Sequence, residues 1–167
     1  HEFLPPDFNL ARARAADTLY FLKTHDHPDK ARTDKVIYLL RDGRESTLSY
    51  VRYLQDYMGQ QTSIREAING DVQYGSWGEH VAAWAPKDAP DTLLIRFEEL
   101  IRDPLGLVSQ IEEFTGIEAV SNQIPSFDEL HKRGPTFFRS GKTDTWKREY
   151  SEADHLAFWL RNYPIML

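Results

Sequence analysis

Three clusters of residues carry the types and spacings that chemistry needs. The hexapeptide KTHDHP at 23–28 follows the apolar run TLYFL, and it delivers a cation, Lys23, and an imidazole, His25, where an extended segment leaves the core. Lys23 and His25 are two apart, so on an extended chain they point to the same side. A neutral imidazole there is a candidate general base, with the lysine stabilising negative charge beside it. The second cluster is LLRDGRESTLS. Arg41 at a strand end, a glycine turn and Ser49 on the following helix together suit a phosphate clamp. The alternative is that Arg41 pairs with a carboxylate and Ser49 fills a helix surface. The third is FFRSGKTDTWK at 137–147. Phe138, Arg139, Ser140 and Gly141 suit an anionic ligand with an aromatic part, while Phe137, Phe138 and Trp146 could equally form a latch on the core.

These residues need a scaffold, and the chain supplies a pattern for one. TLYFLK (18–23), KVIYLLR (35–41) and the start of TLLIRFEEL (92–100) read as strands, and continuous apolar runs favour a parallel sheet covered on both faces. After DGRE, Leu48, Val51, Tyr53, Leu54 and Met58 recur at helical spacing. QTSIREAIN forms a short helix closed at Asn69–Gly70, and SWGEHVAAWAP another, stopped by Pro86. In the latter, Trp77, Val81 and Trp84 make a stripe that packs into the core, with an edge on an acceptor pocket as the other reading. Asp103 as N-cap, Pro104 at the first helical position and Gly116 at the C-cap bound a helix with Leu107, Val108, Ile111 and Phe114 on one face. SFDELHK and SEADHLAFWLRN add two more helices, with His131 and His155 on their surfaces. Strands alternating with helices predict an α/β, three-layer sandwich around a mainly parallel sheet, with ligands at the carboxyl ends of the strands.

Composition narrows the partners. The 167 residues suit a single domain, 41% hydrophobic and 28% charged. There is no cysteine, so disulfides, thiolate nucleophiles and thiolate metal sites are excluded, and a reducing, cytoplasmic compartment is expected. A formal charge of −6 argues against a nucleic-acid partner. No apolar stretch has the length of a membrane span, no His/Asp/Glu set has metal-ligand spacing, and no metal is expected.

In order and spacing, KTH, VIYLLRDGRESTLSY, YGSWGEHVAAW, LLIRFEELIRDPLGLVSQIEEFTGI and FFRSGKTDTWK resemble the PAPS-dependent sulfotransferases of the cytosolic and bacterial type, over roughly residues 18 to 150. The resemblance implies an α/β fold related to P-loop nucleotide kinases. It also implies an enzyme moving a sulfuryl group from 3′-phosphoadenosine-5′-phosphosulfate (PAPS) to an acceptor hydroxyl or amine, leaving 3′,5′-ADP (PAP). His25 matches the family's base and Lys23 the cation beside it. Arg41 and Ser49 match the pair that binds the 3′-phosphate, as do Arg139, Ser140 and Gly141. Phe127 aligns with an aromatic beside the adenine, and Phe97 with a tyrosine on the base.

Some positions depart from the pattern. Gly43 stands for a frequent proline, Glu45 for an aspartate and Ser140 for a lysine. The usual dimer signature has no match. Nothing before residue 18 resembles the 5′-phosphosulfate loop, so the expectation is a single sulfotransferase domain over 1–167, truncated at its N-terminus, acting on a small-molecule, lipid or glycan acceptor. A non-catalytic PAP-binding relic is the main alternative. A nucleotide kinase is disfavoured by the lack of a Walker-type loop.

Overall fold

The computed structural model describes residues 11, 20–31, 35–121, 123–135, 138 and 144–166. A short helix α1 (Pro28–Ala31) precedes strand β1 (Val36–Leu40), which leads through Asp42 into helix α2 (Gly43–Asp56). Helices α3 (Ile64–Asn69) and α4 (Trp77–Trp84) come next, then strand β2 (Thr92–Arg96), which passes directly into α5 (Phe97–Arg102). The chain continues through α6 (Gly106–Thr115), α7 (Phe127–Arg133), α8 (Trp146–Glu149) and α9 (Glu152–Met166). β1 and β2 pair in parallel, Val36 opposite Thr92 through Leu40 opposite Arg96, so both strands end at one edge. The crossover between them is made by three helices, as a parallel pair requires.

Local chemistry sets the helix starts. Ser63 with Glu66, Ser76 with Glu79, and Ser126 with Glu129 each form a complete capping box. In each, the serine oxygen accepts from the glutamate N–H and the carboxylate accepts from the serine N–H. Gly70 and Gly116 close their helices at φ of 88° and 76°, conformations that glycine adopts without steric cost. Asp42 caps α2 by accepting from the Arg44 N–H. The core forms where α2 lays down Leu48, Val51 and Leu54 against Ala67 and Ile68 of α3, with Trp84, Ile95, Leu107 and Phe158 also buried. Gly43 sits where a Cβ would lie 2.5 Å from Trp77 and 2.6 Å from Phe158. Any side chain at that position would have to displace those rings.

Two expectations need correction, the strand at 18–23 and the start of the helix at Pro104. The extended run at 18–23 is not a strand in its described part: residues 20–25 are irregular, because no described segment offers them a ladder partner. The segment 92–100 opens as the expected strand, which ends at Arg96 before FEELIR coils into α5, with Glu98 and Glu99 favourably placed in its first turn. The helix expected from Pro104 begins at Gly106, whose N–H donates to Asp103 Oδ1 at 2.9 Å, so Asp103 caps across an intervening turn. Among the described residues β1 is buried on its Tyr38 side, 9% exposed, whereas Ile37 and Leu39 on the other side are 40% and 50% exposed.

Candidate active site at the strand ends

Arg41 leaves the carboxyl end of β1, and Phe97 leaves that of β2. The register brings them together, with the guanidinium 4.4 Å above the phenyl ring. Arg41 Nη2 also donates to Glu45 Oε2 at 3.3 Å, one helical turn on. Burial lowers the Arg41 pKa, while Glu45, Glu98 and Asp42 oppose that shift. Ser49 lies exposed on α2, beyond its first turn.

Glu45 is the residue that sequence reasoning undervalued. It is 4% exposed and accepts from Arg41, from the Thr145 hydroxyl at 2.9 Å and from the Trp146 N–H at 3.1 Å. One buried carboxylate thus ties the first arginine element to the segment that follows the second. Arg44 completes the tie: its guanidinium holds both Asp42 oxygens and lies 3.8 Å over the Trp146 ring. Burial alone would raise the Asp42 pKa, but the Arg44 hydrogen bonds outweigh it and hold that carboxyl below its ordinary value. The signals available for Glu45 were an acidic residue at the third position of a capped helix and its place where the resembled pattern has an aspartate.

Lys23 and His25 share the irregular segment ahead of α1. His25 is exposed by area, yet atoms packed around its ring withhold water and lower its pKa, and the Lys23 charge pushes the same way against Asp26. The imidazole is therefore neutral at pH 7, the state a base requires. Its ring lies 5.6 Å from that of Tyr74, which lies 5.8 Å from Tyr50, the neighbour of Ser49 on α2. Two tyrosines that the sequence did not single out thus connect the imidazole to the helix of the arginine element. A cleft of about 250 Å³ lined by Asp26, His27, Asp29, Gln73 and Tyr74 opens beside His25.

The other candidates are placed less compactly. Phe127, 41% exposed, stacks on His131 at 6.1 Å. Phe138 is half-buried, and its carbonyl contacts His131 Nδ1. Arg139, Ser140 and Gly141 lie outside the described residues. His131 and His155 are less superficial than expected, for His155 stacks on Trp146 with ring centroids 5.1 Å apart and planes 3° apart. Trp84 is buried as the stripe predicts, and Trp77 packs on Phe158 at 6.0 Å. No group of three His, Cys, Asp or Glu residues that could hold a metal occurs among the described residues, nor any helix long and apolar enough to cross a membrane.

Residues 4–158 match the family model described as Sulfotransferase domain. The chain belongs to the sulfotransferase domain family. Among its relatives, this sulfotransferase domain is 26% identical to Sulfotransferase 6B1 of Danio rerio over 91% of its own length and 60% of that protein. It is 30% identical to Sulfotransferase 2B1 of Homo sapiens over 74% of its length and 42% of that protein. The chain spans roughly half the length of the curated relatives it matches. A solved mouse sulfotransferase complexed with PAP superposes with a TM-score of 0.65 at 23% identity, covering 76% of this chain and 56% of that one. Retinol dehydratase in complex with androsterone and PAP gives 0.63 at 21%, covering 78% and 46%. These likenesses show the α/β fold of the sulfotransferases.

Proposed function

We propose that this chain is a single sulfotransferase domain over residues 1–167 that takes PAPS as donor and passes its sulfuryl group to an acceptor hydroxyl or amine. The observation that carries the proposal is the strand-end arrangement of Arg41 on Phe97, joined through Glu45 to the flank of the second arginine element. A flat guanidinium against an aromatic ring fits a nucleotide phosphate, because it offers paired donors in a fixed plane. The donor, when bound, supplies the sulfuryl group and leaves as PAP.

The rest is the work of this chain's residues. His25, neutral at pH 7, accepts the proton from the acceptor's O–H or N–H through an imidazole nitrogen, so the acceptor atom can bond to sulfur as the donor's bridging S–O bond breaks. Lys23 lowers the energy of the charge that builds on the oxygens. Arg41, Ser49, Phe97 and Phe127, with Phe138 and the element at Arg139, Ser140 and Gly141, hold the nucleotide at a fixed distance from that base, and such positioning is the larger part of catalysis in transfers of this type. For the acceptor we favour a small molecule bearing a hydroxyl. The relatives include a luciferin sulfotransferase of Photinus pyralis and a 3-beta-hydroxysteroid sulfotransferase of Cavia porcellus. Calorimetric titration with 3′,5′-ADP, beside transfer of labelled sulfate from PAPS to a panel of phenols and sterols, tests the proposal. Saturable binding with transfer is expected; absence of both defeats it, and binding without transfer leaves a nucleotide-binding module.

A further inference from the structure

A guanidinium that serves a phosphate has a carboxylate beside it: Arg41 Nη2 reaches Glu45 Oε2 at 3.3 Å, and Glu45 is 4% exposed. By charge alone, a negative group so close to an anion site weakens it. A carboxylate kept there must do something that offsets the repulsion.

Its other partners show what. Oε2 also accepts from the Thr145 hydroxyl at 2.9 Å, and Oε1 accepts from the Trp146 N–H at 3.1 Å. All three bonds run towards the carboxylate, the pattern of a group that only accepts. Two of them come from the segment 144–146, which is itself fastened to the first turn of α2. Arg44 lies 3.8 Å over the Trp146 ring while its guanidinium holds Asp42, and the Tyr150 hydroxyl donates to the Arg44 carbonyl at 3.3 Å. Arg44 is thus committed to Asp42 and Trp146, and the cation that faces Glu45 is Arg41.

Arg41 is therefore gripped twice. Phe97 meets its face at 4.4 Å and Glu45 meets its edge, and a planar group held by face and edge has its orientation fixed. Glu45 is held in turn by two neutral donors 100 and 101 residues away along the chain. Its contact to Arg41 is the longest of the three, so the arginine is aimed rather than consumed.

We propose that Glu45 is a positioning residue of the nucleotide site: anchored by Thr145 and Trp146, its carboxylate aims Arg41 at the 3′-phosphate. The inference rests on Arg41 reading that phosphate, and the test keeps the two apart. Calorimetry on the full 167-residue chain measures the dissociation constants of 3′,5′-ADP and 5′-AMP. The proteins are the wild type, Glu45→Gln, Thr145→Val, and Arg41→Ala with and without Glu45→Gln. Glutamine keeps the volume and a carbonyl oxygen for the Trp146 N–H, and the Thr145 hydroxyl can turn to accept from its amide. Only the Arg41 contact has no such reversal, because a guanidinium never accepts.

Charge and positioning predict opposite signs. If Glu45 contributed only its charge, Glu45→Gln would tighten 3′,5′-ADP. If it aims Arg41, Glu45→Gln should shrink the preference for 3′,5′-ADP over 5′-AMP on the order of 3- to 10-fold. Thr145→Val, which releases the carboxylate without removing its charge, should shrink that preference about 2-fold. With Arg41 already alanine, Glu45→Gln should shrink it no further, since both act through one contact. Tighter 3′,5′-ADP binding in Glu45→Gln, equal changes for both nucleotides, or losses that simply add to those of Arg41→Ala overturn the proposal. If Glu45→Gln fails to fold, the nearly isosteric Thr145→Val decides: a reduced preference supports the proposal and an unchanged one overturns it. A wild type indifferent to the 3′-phosphate defeats the nucleotide reading, and this inference with it. A wild type that prefers 3′,5′-ADP, beside a Glu45→Gln that keeps the full preference, defeats the positioning role alone.

Discussion

Replacing Arg41 by alanine tests the nucleotide site most directly. In the structure the guanidinium spends one face on Phe97 and reaches Glu45 at 3.3 Å. That separation is long beside the ~2.7–2.9 Å of a strong charge-assisted bond, so Glu45 is a weak competitor for a phosphate. A hydrogen bond to a charged partner is worth roughly 1.5–3 kcal/mol, which converts to about a 10- to 150-fold loss of 3′,5′-ADP affinity.

The substitution also leaves a buried carboxylate without its cation, which by itself destabilises the fold. Glu45 keeps the Thr145 hydroxyl and the Trp146 N–H, so its loss is partial. The quantity to measure is therefore the ratio of the dissociation constants for 3′,5′-ADP and 5′-AMP, by calorimetry on protein shown to be folded. Any general loosening of the site cancels in that ratio, whereas loss of a 3′-phosphate contact does not. Arg41→Ala should shrink the preference for 3′,5′-ADP at least tenfold, with 5′-AMP little changed. Equal losses for both ligands would refute the assignment of Arg41 to the 3′-phosphate.

Other outcomes follow from the same geometry. His25→Ala should lower turnover about 10²-fold or more with PAP affinity nearly unchanged, measured by initial rates and calorimetry; retention of the wild-type rate would place the base elsewhere. The wild-type rate should fall as His25 gains a proton on acidification, and because burial and Lys23 depress its pKa the midpoint of kcat/KM against pH belongs below 6.5, so a midpoint above that value contradicts the site. Trp84→Ala should cost ~3–5 kcal/mol in denaturant unfolding, since it empties a core position and removes the donor to Asp26; unchanged stability would make the tryptophan a ligand contact instead. Gly43→Ala should cost roughly 1–3 kcal/mol by driving a methyl into Trp77 and Phe158, and a melting temperature equal to wild type would mean those rings yield freely.

Much of this was legible in the sequence where the signal is local. Ser-x-x-Glu before three helices, the glycines at 70 and 116, and the apolar run of β1 each specify their own geometry within a few residues. The segment at 20–23 misled because TLYFL has a strand's composition, but a strand exists only if another accepts its hydrogen bonds, and composition cannot supply the neighbour. The segment 97–102 gave no boundary signal, because its helix is contiguous with the strand, with no punctuation between Arg96 and Phe97. At the site, Arg41 and His25 were visible as polar groups at the ends of apolar runs. Glu45 and the Tyr38–His80 contact were not, because their partners lie 100 and 42 residues away along the chain. Tyr38 looked like an ordinary member of the apolar run of β1, and His80 lay outside the stripe of Trp77, Val81 and Trp84.

The capping box at Ser76 has a reach beyond the end of its helix. Residues on an α-helix are separated by about 100° of rotation, so moving the start of α4 by a single position would swing Trp84 a quarter-turn or more away from the Asp26 carbonyl, and His80 away from Tyr38. Ser76, 1% exposed and locked to Glu79, is the origin from which that angle is counted, and Glu79 is itself pinned to Arg161 of α9. The phase of α4, and with it the orientation of the imidazole at His25, is thus referenced to the chain's last helix, far from any group that touches a substrate. A cautious substitution at Ser76 would leave every candidate catalytic side chain in the sequence and still mistune their alignment.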